Sequence, residues 1–174
     1  MLPRTLEPEV MDSPEEARDY DSMDHAEVNR RFVDDFIAFW SGEPISPILD
    51  VGTGTAQIPV EFCKRCDSIR VVGIDAAASM LAVAAQNVLG CVFATGACIE
   101  LQQADAKALP FPGGLFGAVM SNSIVHHIPE PSAVIGEMVR VVQPGGLIFV
   151  RDLLRPADEA TLDRLVNQYA GGAN

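Results

Sequence analysis

Ile48-Leu49-Asp50-Val51-Gly52-Thr53-Gly54-Thr55-Ala56 is the stretch whose reading decides the fold. A short apolar run suits a buried parallel strand, and it breaks into a turn of small residues that opens a helix predicted from Gln57 to Cys66. Gly52 and Gly54 permit backbone angles that other residues resist and let the main chain approach a ligand closely. A strand, a glycine turn and a helix in this order make a place for a polar cofactor.

The same alternation continues on both sides. Ile69 to Asp75 is a β-branched run ending in an acid, and the alanine-rich segment from Ala76 to about Leu89 reads as a helix. Gly90 to Ala97 gives no decisive pattern. Ile99 to Asp105 alternates as a third strand that again delivers an acid at its carboxyl end. Leu115 to Ser121 and Leu147 to Asp152 read as the fourth and fifth strands, separated by a loop from Asn122 to Pro131 and a helix from Ser132 to Val142. A last amphipathic helix is predicted from Asp158 to about Ala170.

Upstream, Met1 to Asp12 carries no periodicity and reads as a loose arm, whereas Ser13-Pro14-Glu15-Glu16 is a helix start with Ser as N-cap. A second helix from about Asp24 to Trp40 carries an apolar stripe. Strands alternating with helices predict an α/β protein with a mostly parallel, doubly wound, Rossmann-like sheet in a three-layer α/β/α arrangement. Residues 1–41 form the arm and a helical lid in this reading, and 42–174 a single cofactor-binding unit lacking any later strands. Tyr20 and His25, near the lid, are candidate substrate contacts.

The chain of 174 residues is long enough for one such domain and too short for two ordinary ones. Twelve Lys and Arg against 24 Asp and Glu leave a formal net charge of -12, which disfavours a nucleic-acid partner. No apolar run reaches the roughly 20 residues of a membrane span, so a cytoplasmic location without membrane partners is expected. Cys63, Cys66, Cys91 and Cys98 have poor spacing for zinc and are read as free, mostly buried thiols rather than as metal or redox ligands.

In a doubly wound sheet, ligands bind beyond the carboxyl ends of the strands, where strand order reverses. Asp50, Asp75 and Asp105 all fall at that edge. Asp75, 21 residues after Gly54, is placed to accept hydrogen bonds from both hydroxyls of a ribose, and Asp105 to accept from the exocyclic amine of a purine. Gln57 stands where the last glycine of the dinucleotide fingerprint belongs, which disfavours a nicotinamide oxidoreductase. His126 and His127 are adjacent; one is a candidate general base, and the alternative reading is a helix-capping or surface pair.

Five ordered motifs carry a family resemblance over about Asn29 to Asp152. Leu49 to Ala56 resembles motif I of the class I S-adenosylmethionine-dependent methyltransferases, and Val72-Gly73-Ile74-Asp75 with Ser79-Met80-Leu81 their second motif. Gln103-Ala104-Asp105-Ala106 followed by Leu109-Pro110-Phe111 is similar to the third, Ser121 to His127 to the fourth-strand motif, and Arg140 to Gly146 to the helix-turn before strand five. The nearest likeness is to the small-molecule branch that methylates ubiquinone and menaquinone precursors.

The resemblance implies S-adenosylmethionine as cofactor and a small molecule as methyl acceptor. It implies Gly52 and Gly54 against the methionine part, with Asp50 supporting their turn, and Asp75 on the ribose. Ala76 and Met80 would flank the adenine, Asp105 and Ala106 would read its edge, and Asn122 would lie near the transferring methyl. The family's third glycine is Ala56 here. The family's sheet carries two strands after the fifth, but this sequence ends 22 residues beyond Asp152. A shortened form is therefore expected, with strand five as an open edge available for homodimer pairing. Catalytic methyl transfer is the first reading; a cofactor-binding module without catalysis is the alternative.

Overall fold

The computed structural model describes residues 2–6, 10, 12–40, 47–66, 69–95 and 98–169. Eleven elements follow in chain order: α1 (Pro14–Ser22), α2 (Ala26–Phe39), β1 (Ile48–Val51), α3 (Gln57–Cys63), β2 (Arg70–Asp75), α4 (Ala78–Thr95), β3 (Cys98–Gln103), β4 (Phe116–Asn122), α5 (Pro131–Val141), β5 (Val142–Arg151) and α6 (Glu159–Tyr169). The strands form one parallel sheet in the order β3-β2-β1-β4-β5. The expected doubly wound architecture is present, and its order reverses between β1 and β4.

Both faces of the sheet are covered, so its strands read as continuous apolar runs. Ile48 and Val71 point to the face packed by α2, α3 and α4, where Phe32, Phe36, Phe62 and Ala84 complete a core. Leu49, Val51, Val72 and Ile74 point to the opposite face, against Val134, Met138 and Val141 of α5. Each fully buried Phe removes on the order of 2 to 3 kcal/mol of apolar surface from water. This is the source of the rigidity that the strand ends need.

Several boundaries differ from the sequence reading. The segment without a decisive pattern continues α4 as far as Thr95, because nothing between Leu89 and Thr95 other than Gly90 interrupts a helix-forming run. Strand β3 stops at Gln103, which leaves Asp105 two residues beyond the strand rather than at its tip. Strand β5 begins at Val142, since the Gln143-Pro144-Gly145-Gly146 turn is absorbed into an irregular pairing between Phe116 and Ala118 of β4. The helix stop at 41–44, the proposed boundary at residue 41, and the final Gly171 to Asn174 lie outside the described residues.

Helix α1 begins as expected, with a capping box in which the Glu16 amide donates to Ser13 Oγ and the Ser13 amide to the Glu16 carboxylate, both at 3.2 Å. It continues through Tyr20 and Asp21 to Ser22. Helix α2 does not form a lid over the strand ends. Its buried Phe32, Val33 and Phe36 pack beneath, against Phe62 and Phe149, because that stripe is more apolar than anything the open edge offers. Helix α1 is the element that covers the pocket. The arm before it is tied down at several points: the Leu2 amide donates to Pro156 O at 3.1 Å, and Asp12 Oδ1 accepts from the Ser79 amide at 2.8 Å.

Candidate functional site

The turn after β1 is a consequence of three left-handed residues in a row of five. Gly52 and Gly54 have φ of 77° and 54°, and Ala56 follows at 61°. The Gly52 and Thr53 amides both donate to Ile74 O, at 2.9 and 2.8 Å, which ties the turn to the end of β2. A Cβ at position 52 would collide with the side chain of Ile124, so only glycine fits. At Gly73 the space a Cβ would need is filled by the Thr53 side chain. The second glycine thus sits in the sheet so that the turn can lie against it.

Asp75, the last residue of β2, receives two backbone amides. The Gly54 amide donates to Oδ2 at 2.8 Å and the Ala77 amide to Oδ1 at 2.9 Å. Burial raises its pKa, and these backbone donors offset part of the rise. Each carboxylate oxygen keeps a further lone pair, so the group can still accept from a vicinal diol. The capping and ligand-holding readings of Asp75 are therefore compatible.

Asp50 lies behind the turn, 2% exposed, and Oδ2 has no hydrogen-bond partner among the described residues. Burial pushes its pKa up to about 7; the Thr53 hydroxyl nearby offsets part of this without hydrogen-bond geometry, and Asp75 adds to the rise. No hydrogen bond from its carboxyl to the glycine turn is present among the described residues, so any support it gives the turn is by packing.

A cavity of about 320 Å³ opens over these strand ends. Ten of the eleven candidate cofactor-binding and catalytic residues face it. Gly52, Gly54, Asp75, Ala76, Met80, Asp105, Ala106, Asn122, His126 and His127 all line it, whereas Asp50 does not. Met80 also packs with Ala17 and Ala77 between α1 and α4, so its core role and its place on the cavity wall coincide. Asp105 is half exposed and caps its own turn, accepting from the Lys107 amide at 2.8 Å and pairing with Lys107 Nζ at 3.0 Å; these donors, the amide first, hold its carboxyl below the usual range. Tyr20 reaches the cavity from α1, its phenol pKa raised by burial and by Asp50, Asp75 and Asp21. His25 does not; it lies in a neighbouring groove, with its ring 4.8 Å from that of Tyr20.

The far wall contains residues that sequence reasoning missed. Ser123, at φ 57°, turns the chain sharply out of β4 so that the loop 124–128 overhangs the cavity. In that loop His126 Nδ1 lies 2.6 Å from Asp152 Oδ1, and the Val125 amide donates to Asp152 Oδ2 at 2.7 Å. The His126 and His127 rings lie with centroids 4.0 Å apart, tilted by 39°. Arg4, from the arm, donates to the carbonyls of Ile128 at 2.6 Å and His126 at 3.0 Å, with longer contacts to Pro129 and Val125. Asp152 was legible by the strand-end rule that found Asp75, since it follows the fifth strand directly. Nothing in the sequence announces Arg4.

Behind the glycine turn, Gln57 Nε2 donates to Asp21 Oδ1 at 3.0 Å, Asn87 Nδ2 donates to the same oxygen at 2.9 Å, and Asn29 Nδ2 donates to Gln57 Oε1 at 3.1 Å. These bonds join α1, α2, α3 and α4. The side chain at Gln57, where a dinucleotide-binding fold has glycine, is used to bridge helices. Cys63 and Cys91 are buried in the same layer and Cys66 is half-buried; among the described residues no cluster of metal-ligating groups occurs.

A parallel sheet of this order, with a glycine turn and a buried carboxylate at adjacent strand ends, defines a Rossmann-like fold. More narrowly, the chain belongs to the methyltransferase-domain family, whose profile matches residues 49–150. It is 36% identical over 109 residues to the demethylmenaquinone methyltransferase of Thermus thermophilus, covering 63% of this chain and 48% of that protein. The chain thus spans about half the length of the curated relatives it matches. Among solved structures, an S-adenosylmethionine-dependent methyltransferase of Methanosarcina mazei is 25% identical with a TM-score of 0.58, covering 66% of this chain and 55% of that one. The [4+2]-cyclase SpnF is also 25% identical, with a TM-score of 0.64 and coverage of 71% and 44%.

Proposed function

We propose that this protein transfers a methyl group from S-adenosylmethionine to a small, quinone-like acceptor. The observation that carries the reading is the joint hold on Asp75: two backbone amides fix its carboxylate at the cavity, one of them from the glycine turn itself. A cofactor with a ribose diol and a cationic methionine end fits this wall. Gly52 and Gly54 present main chain without side-chain bulk at the cavity. In this reading Asp75 holds the ribose, Ala76 and Met80 flank the adenine, Asp105 and Ala106 meet its edge, and Asn122 lies near the reacting end.

When bound, the cofactor supplies an electrophilic methyl group. The protein's own share is to align the acceptor with it and to exclude water, which can supply most of the rate enhancement of such a displacement. His126 and His127 stand on the acceptor side, and Tyr20 of α1 covers the opening. A quinone-like acceptor is supported by the name of the Thermus relative and by the apolar Ile124 and Ile128 on the same wall.

Two finer points belong to the same reading. The net charge of -12 supports a small-molecule rather than a nucleic-acid partner, and no helix among the described residues is long and apolar enough to cross a membrane, which is consistent with a cytoplasmic place of work. Strand β5 ends the described sheet, and its outer edge supports pairing with a second copy, to be checked by sedimentation at micromolar concentration. The activity itself is tested by incubating the chain with methyl-labelled S-adenosylmethionine and reduced demethylmenaquinone. Label in the quinone fraction is the expected result; cofactor binding with no label transferred would identify a binding module instead.

A further inference from the structure

His126 lines the cavity, and its ring is held from behind by a carboxylate that does not. His126 Nδ1 and Asp152 Oδ1 are 2.6 Å apart, and Asp152 is itself fixed by the amides of Val125 and Leu153, at 2.7 and 2.6 Å. The two residues follow the neighbouring strands β4 and β5, whose paired ends are Asn122 and Arg151, so the sheet register sets their separation. An ionised carboxylate only accepts hydrogen bonds, so Nδ1 must carry the proton. In the neutral ring Nε2 is then the acceptor, on a side chain that lines the cavity.

We infer that His126 is the base that prepares the acceptor, and that Asp152 is the positioning residue that holds it in the Nδ1–H form. This rests on the methyl-transfer reading and narrows its substrate. A neutral imidazole base is useful for an acceptor whose nucleophile is made by losing a proton from a weakly acidic hydroxyl, a phenol, hydroquinone or enol. A neutral amine or a carboxylate needs no such step. In the transfer, the acceptor O–H bond breaks and an Nε2–H bond forms. The electron pair left on the acceptor oxygen forms the new bond to the methyl carbon, from oxygen or by conjugation from ring carbon, while the methyl–sulfur bond breaks with its pair going to sulfur. Attack from carbon is completed by loss of the ring proton to solvent. Asp152 keeps its charge throughout and takes no proton. The proton then leaves through solvent, to which the His126 side chain is 25% exposed.

The test uses the full chain labelled with 15N-histidine. Long-range proton–nitrogen correlation on the wild type should show His126 protonated at Nδ1; the Nε2–H form would overturn the inference with no variant needed. Asp152→Asn should convert His126 to the other tautomer, because the new amide can donate to Nδ1. It should lower kcat for reduced demethylmenaquinone at least about 100-fold with KM changed less than about threefold. His126→Gln should lose as much, and the double variant no more than either alone. Calorimetry with S-adenosylhomocysteine serves as fold control, with affinity within about twofold of wild type in each variant. Full turnover by His126→Gln, in a protein that binds the cofactor product, would sink the base while leaving the methyltransferase reading intact. Absence of binding by the wild type would instead sink that reading.

Discussion

The two walls of the cavity are built in different ways. On the β1–β2 side the geometry is set by main chain: two glycines at positive φ, four amides directed at Ile74 O and Asp75, and a carboxylate that ends its own strand. On the β4–β5 side the geometry depends on side chains reaching across the sequence. Asp152 binds a loop 26 residues earlier, and Arg4 binds the same loop from more than 120 residues away. The first wall is a property of a motif; the second is a property of the assembled fold.

That contrast can be broken or sharpened by substitution. The largest effect is expected at Gly52, where valine would meet both the φ of 77° and the Ile124 side chain. Gly52→Val should abolish detectable S-adenosylhomocysteine binding in calorimetry and lower the melting temperature. Retention of wild-type affinity would show that the turn is not the cofactor wall. Next comes Arg4→Ala, which removes hydrogen bonds to carbonyls of the 125–129 loop without touching the turn. Amides of residues 125–128 should exchange about tenfold faster while cofactor-product affinity stays within about twofold. An equal loss of affinity would mean that the two walls are one cooperative unit.

Asp50 gives a pH signature confined to the first wall. Its folded pKa is raised to about 7, above the usual carboxylate value near 4, so the folded state binds the extra proton. Stability should therefore fall as pH rises from below about 4 to above about 7, by on the order of 4 kcal/mol from this group. Chemical denaturation of Asp50→Asn across that window should show the slope much reduced; an unchanged slope would assign it to other groups, Asp75 among them. The smallest effect is expected at Ala56, which holds φ 61° with a side chain that disfavours it. Ala56→Gly relieves that strain but frees the unfolded chain, for a net gain of about 0.5 kcal/mol.

The same contrast explains what was legible in the sequence. The alternation of strands and helices, the glycine turn and the position of Asp75 could be read because their signals are short-range: apolar runs, small residues and an acid at a strand end. Asp105 was read at a strand tip and lies beyond it, because the alternation of 99–105 does not register where pairing stops. Helix α2 was read as a lid, but an apolar stripe says only that a face is buried, and the sheet face beneath was the larger apolar partner. Arg4 carried no local pattern at all, since its partners are backbone carbonyls whose positions exist only after β4 and β5 are in place. Gln57 was read correctly as the wrong residue for a dinucleotide turn, and its use as a bridge to Asp21 and Asn29 supplies the reason.

The central claim is that the glycine turn and Asp75 together hold S-adenosylmethionine, and calorimetric titration with S-adenosylhomocysteine tests it most directly. NAD serves as the parallel ligand and Asp75→Ala as the variant. The account predicts binding of S-adenosylhomocysteine alone, weakened about 100-fold in Asp75→Ala, as expected for two charge-assisted hydrogen bonds lost at about 1.5 kcal/mol each. Binding of NAD in its place, or S-adenosylhomocysteine affinity unchanged by the substitution, would contradict it.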